Sequence, residues 1–125
     1  MKRIALVLLA LVAVLHLYIA WFEIFAWTTR GPVVFDTLPP DLFEPTTQIA
    51  ANQGVYNAFL AAGLIWSLFI QDPRWQFNVA LCFLGFVFIA GVAAAVTIAV
   101  STGLPQMVSA GIAGAALLLM NRRTG

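Results

Sequence analysis

Residues 4–27 read IALVLLALVAVLHLYIAWFEIFAW, an apolar run broken by one imidazole, His16, and one carboxylate, Glu23. Crossing a bilayer takes about 20 mostly apolar residues in a helix, so the run is long enough to span with some tilt. His16 is the only histidine in the chain, and Glu23 is the only carboxylate inside an apolar segment. They lie seven residues apart. On a helix they therefore share a face, about two turns from each other. Ionisable groups inside a membrane segment are costly, point into a protein interior or a wet cavity, and mark a functional site by default.

The rest of the composition agrees with a membrane setting. The chain is 62% apolar and 9% charged, against roughly 25% charged in a soluble domain. At 125 residues it is a single domain, 1–125. A net charge of +1 gives no electrostatic footprint for nucleic acid. Cys82 is alone, which excludes an intramolecular disulfide and reads as a small packing residue. The start, Met1-Lys2-Arg3 before an apolar run, resembles a signal peptide. The run continues well past a typical 7–15-residue signal core, so it is read as an uncleaved first span.

Working outward, three more spans follow. Residues 28–44 form an outer loop, because Pro32, Pro39 and Pro40 interrupt any regular helix. Its Phe35, Leu38, Leu42 and Phe43 suit the headgroup region or the mouth of the bundle. The second span covers about 45–70, with Pro45 at its first helical position. Its opening half is polar for a span: Gln48, Asn52, Gln53, Tyr56 and Asn57. Asp72 and Pro73 supply a cap and a first residue for the third span, about 73–100. Ser101-Thr102-Gly103 is read as its stop, and a short fourth span covers about 105–120. The fold class expected is all-α: an integral membrane four-helix bundle with antiparallel, up-down spans.

Charge sets the orientation. Four spans place Lys2, Arg3, Arg74, Arg122 and Arg123 on one side and only Arg30 on the other. The positive-inside rule then puts both termini in the cytoplasm of a multi-pass inner-membrane protein.

Depth can be counted from the outer surface. Glu23 is four residues inward from Trp27 and His16 eleven; Asn52 is four inward from Gln48 and Asn57 nine. Glu23 and Asn52 thus lie roughly 6 Å deep, and His16 and Asn57 roughly 14–16 Å deep. Spans joined by a short loop pack as antiparallel neighbours, so the two polar sets match. On the second span Asn52 and Tyr56 form one face pair, and Gln53 and Asn57 another. The match predicts a polar pocket in the outer half of the bundle, walled by Trp21, Trp27 and other aromatics, with Gln106 at its rim. The bland alternative is that the amides only hydrogen-bond between helices, at about 0.6 kcal/mol each, and that Trp21 and Trp27 belong to the interfacial belt.

Helical metal pairs sit at i, i+3 or i, i+4. His16 and Glu23 are about 10.5 Å apart along the axis, so no metal and no cofactor is expected. No phosphate loop, dinucleotide fingerprint, haem motif or nucleophile elbow is present.

His16-Leu17-Tyr18 with Glu23-Ile24-Phe25-Ala26-Trp27, followed by the Asn52-Gln53-Gly54-Val55-Tyr56-Asn57 stretch, resembles the DUF1304 family of small bacterial four-span membrane proteins. The resemblance covers essentially the whole chain, and the matching polar positions are His16, Glu23, Trp27, Asn52, Gln53, Tyr56 and Asn57. It implies the fold and carries no activity.

Three functions stay open. One is a protein that binds or carries a small apolar or amphiphilic molecule, with Glu23 meeting a polar or cationic group and Trp21 and Tyr56 the apolar body. The ligand-binding set is then His16, Trp21, Glu23, Trp27, Asn52, Gln53, Tyr56 and Asn57. Another is an intramembrane isomerase or other proton-transfer enzyme with His16 and Glu23 as its catalytic candidates. The last is a structural or accessory subunit without a ligand. The expected partners are the lipid bilayer, a small amphiphile and, as an open option, a second copy of the chain; nucleic acid is not among them.

Overall fold

The computed structural model describes residues 2–122, and side chains from 3 to 121. Arg123, counted above among the inner-side charges, lies outside them. The described chain is all-α, and no strand occurs among the described residues. Four long helices dominate: α1 (Lys2–Phe25), α3 (Thr47–Phe69), α4 (Pro73–Thr97) and α5 (Val100–Arg122), with a short α2 (Trp27–Val34) after the first. Each long helix packs against two others, so that α1, α3, α4 and α5 close into a ring. Three of them, Arg3–Phe25, Pro73–Thr97 and Val100–Asn121, are long and apolar enough to cross a membrane. The outside of the ring is apolar, with Val7, Leu11, Val14, Ile89, Val96 and Ile112 all exposed. Such a surface suits lipid and not water.

α1 forms because nothing in it breaks a helix. It ends where Ala26 leaves the helical region, at φ −135° and ψ 26°. Asp72 and Pro73 start α4 as anticipated: the Asp72 carboxylate accepts from the Trp75 backbone N–H at 2.8 Å, with Pro73 at the first position. At the partner end of this turn, Gln76 donates from its buried amide to the Ser67 carbonyl at 3.2 Å, tying α4 to α3. Close approach between helices is made by small residues. A Cβ on Gly54 would lie 2.6 Å from the Ile24 side chain and 3.0 Å from the Ala20 carbonyl, so α1 and α3 meet backbone to backbone there. A Cβ on Gly103 would run into the Gly91 carbonyl, which makes that contact the pinch point of the α4–α5 pair.

Several boundaries differ from expectation, each for a local reason. The 28–44 segment is not all loop, since α2 occupies Trp27–Val34 with Pro32 inside it. A proline removes only its own donor, here the bond to the Thr28 carbonyl, and the next turn is kept by Phe35 donating to the Gly31 carbonyl at 2.8 Å. Pro45 is not the first residue of the second long helix, which begins at Thr47. Thr46, just before it, turns its hydroxyl back to the Leu42 carbonyl at 2.6 Å instead of capping forward. α4 ends at Thr97 and not at 100, and the break falls on Ile98 and Ala99, both bonded to the Ala94 carbonyl. Ser101-Thr102-Gly103 is therefore inside α5, where Gly103 serves helix contact and not termination. Cys82 is exposed on α4 and is no part of the packed interior.

The interior divides along the helix axis. Leu9, Val12, Leu64, Leu84, Val87 and Leu117 build an aliphatic core at the end where α1 begins. Phe22, Phe35 and Phe43 build an aromatic cluster at the other end, with Trp27, Tyr18 and Leu38 against it.

Candidate binding cleft

Glu23 is the centre of the site. It is 8% exposed, and its Oε2 accepts from the Asn57 side-chain amide at 2.8 Å. Geometry explains the pairing. Glu23 lies level with Gly54, whose added Cβ would be 3.1 Å from the Glu23 Cβ, two residues further along α3 than the Asn52 expected at its level, and it takes the Asn57 expected at the level of His16. Side chains on a helix lean toward its N-terminus. α1 and α3 run antiparallel, so Glu23 leans inward and Asn57 outward. They meet one turn below the level of Gly54.

Beside this pair lies a cleft of about 310 Å³. Its polar lining comes from Glu23, Gln53, Tyr56, Asn57, Thr102 and Gln106, and its apolar wall from Leu60, Ala90, Ala94, Ile98 and Phe35. All four long helices thus contribute, and α4 and α5 do so through the segments next to the Gly91–Gly103 contact.

A second cleft, of about 250 Å³, adjoins the first under the segment after α2. It is almost wholly apolar, lined by Trp27, Leu38, Leu42, Phe43, Ile49 and Ala50, with Thr46 at its edge. Glu23, Phe35, Gln53 and Ile98 line both clefts, so the carboxylate stands at the boundary between a polar and an apolar compartment. The roof is rigid. Trp27 donates from its indole to the Thr46 hydroxyl at 2.9 Å and packs on Phe43 at 5.1 Å, Phe35 at 5.4 Å and Phe22 at 6.4 Å between ring centres. Such ring pairs contribute about 0.5–1.5 kcal/mol each beyond the area they bury.

The remaining sequence candidates take other places. His16 is fully buried and lines neither cleft. Its Nδ1 donates to the Val12 carbonyl at 2.9 Å, which leaves Nε2 buried without a hydrogen-bond partner. The Gln106 side chain stands beside the ring without completing that bond. The structure therefore does not bring His16 and Glu23 into contact. Asn52 is exposed and lines neither cleft. It sits two residues, or roughly 200°, around α3 from the buried Gly54; Gln53 is exposed too but lines both clefts, and Asn57 is half-buried, so of the two face pairs on this helix it is Gln53 with Asn57 that reaches the clefts as a pair. Tyr56 is 56% exposed and stands at the cleft edge. Trp21 is 50% exposed and packs near Tyr18, away from both clefts. Arg30 donates to the Tyr18 hydroxyl and lies 5.8 Å above its ring.

Sequence reasoning missed Thr102, Ala90, Ala94 and Ile98. Thr102 was hidden because its neighbour Gly103 reads as a helix stop, and the small wall residues carry no chemical signal of their own. Among the described residues, no group of three or more His, Cys, Asp or Glu gathers as a metal site.

The fold and cleft define a small helical membrane-type protein with a lined interior. Residues 10–118 match the family model described as protein of unknown function (DUF1304), and the chain belongs to that family. Neither a curated protein nor a solved structure matches it.

Proposed function

We propose that this protein is a four-span inner-membrane bundle whose cleft binds or carries a small apolar or amphiphilic molecule. The observation that carries this reading is the pair of adjoining clefts, one polar and one apolar, with Glu23 on their common boundary. Ligand sites are concave, mostly apolar and equipped with a few convergent polar groups. The polar compartment would take the head of the molecule and the roofed compartment its body. α3 is the fourth span in this reading. Its cleft-lining polar residues, Gln53 and Asn57, lower its mean hydropathy. Positive charge at the N-terminus, at Arg74 and at the C-terminus supports termini in the cytoplasm. Cysteines placed at Thr37 and Arg123 in a Cys82→Ser background would then label from outside only at 37.

The test of binding is occupancy. Protein purified in mild detergent should release a defined small molecule on extraction, detected by mass spectrometry. Ala94→Phe, which fills the polar cleft from its wall, should lose that molecule while keeping its melting temperature within a few degrees. Equal occupancy in the variant would remove the cleft as the binding place.

A further inference from the structure

Among the described residues, no positive charge stands beside the carboxylate of Glu23. One oxygen is held by a neutral amide, Asn57. No Lys or Arg lines either cleft. Arg30 is engaged with Tyr18. Arg3 lies on the same helix but roughly 30 Å away along its axis. An ionised carboxylate out of water needs a positive partner or neutralisation. The polar groups that share the cleft with it are acceptor-bearing and neutral: the amides of Gln53, Asn57 and Gln106 and the hydroxyl of Thr102, with Tyr56 at the edge. A bare ion would leave the apolar compartment next door without a role, and among the described residues no metal-ligating cluster gathers.

We infer that the ligand is a cationic amphiphile of the alkylammonium type, its N–H groups directed at the free oxygen of Glu23 and its hydrocarbon body lodged beneath Trp27, Phe35 and Phe43. This rests on the amphiphile reading above and adds the sign of charge, the kind of head and the direction in which the molecule lies. A head carrying N–H donors fits better than a quaternary one. Gln53, Asn57, Thr102 and Gln106 bring oxygen acceptors to the polar cleft with Glu23, whereas of the aromatic faces that suit a quaternary cation Trp27 and Phe43 line only the other compartment, and Tyr56 is more than half exposed at the cleft edge.

The experiment uses four probes with one tail: n-decylamine, n-decanol, n-decanoate and decyltrimethylammonium. Wild-type protein in lipid nanodiscs is equilibrated with each, and retained probe is counted by native mass spectrometry. Decylamine should be retained above the other three. Glu23→Gln should lower its retention about ten- to hundred-fold, the effect of one charge-assisted hydrogen bond, and leave decanol unchanged. Glu23→Asp keeps the charge but withdraws it by one methylene, and should fall between the two. It also preserves the test if the Gln variant does not fold. Equal retention of decylamine and decanol by the wild type would overturn the ammonium inference and leave the amphiphile cleft standing. Equal retention of decyltrimethylammonium would overturn the assignment of an N–H head. Loss of decylamine in sodium chloride but not in choline chloride of the same strength would put an inorganic ion at Glu23, against the inference. Retention of no probe above the Ala94→Phe level would defeat both the inference and the binding reading beneath it.

Discussion

The two ends of the helix ring solve the same packing problem with different materials. At the end where α1 begins, Leu9, Val12, Leu64, Leu84, Val87 and Leu117 are each no more than 2% exposed. Aliphatic side chains there interdigitate between helices already held close. At the other end the ring is filled by Phe22, Phe35, Phe43 and Trp27, stiff plates that hold one another by their edges and faces, and the space between the plates and α4–α5 stays open. Flexible chains collapse into gaps, and braced rings do not. An interior void forfeits the dispersion contacts of its lining atoms, so one end carries the cohesion of the molecule and the other keeps an interior that something else can fill.

The contrast can be broken most forcefully in the aliphatic end. Leu84→Ala should destabilise the protein by about 2–5 kcal/mol, the range for a buried leucine whose surroundings relax only in part. Unfolding in mixed micelles titrated with sodium dodecyl sulfate reads the change. A loss below about 1 kcal/mol would mean that this end is not close-packed. In the aromatic end the expected effect is smaller. Trp27→Phe keeps a ring in the roof and removes the indole bond to Thr46, costing about 0.5–1.5 kcal/mol in the same assay. It should also loosen the apolar cleft, seen as faster hydrogen exchange at residues 38–46. Smallest is Asn52→Leu. An exposed amide outside both clefts should change stability by less than about 0.5 kcal/mol and leave occupancy alone. A large loss of occupancy would bring that face of α3 into the site.

How legible each part was follows from the range of the interaction that decides it. Long helices follow from uninterrupted apolar composition, and the Asp72-Pro73 start follows from bonds within a single turn. The depth match between α1 and α3 needs only a rise per residue, and it sets Glu23 level with Asn52 and His16 with Asn57, whereas the structure sets Glu23 against Gly54 and Asn57. Which amides reach the clefts needed the helix rotation, set by the buried Ala50, Gly54 and Ala61 stripe. Small residues announce such a stripe weakly. The α4–α5 corner was misread because Gly103 has two meanings in a sequence, an end of helix or a place where another backbone passes, and only the Gly91 contact separates them. The seven-residue spacing sets His16 on one face with Glu23, yet the imidazole bonds the Val12 carbonyl of its own helix. A local bond of that kind competes with any distant partner.

That imidazole gives the molecule a native reporter. It is the only one in the sequence, so a nitrogen spectrum of histidine-labelled protein contains a single ring. One nitrogen is pinned by Val12, and the other carries an unshared site facing a side chain, Gln106, that also lines the polar cleft. Any event that swings Gln106 rewrites the chemical shift of Nε2 while that of Nδ1 stays fixed. The protein thus carries an internal reference and an internal sensor on one five-membered ring, read with no tag and no engineered residue.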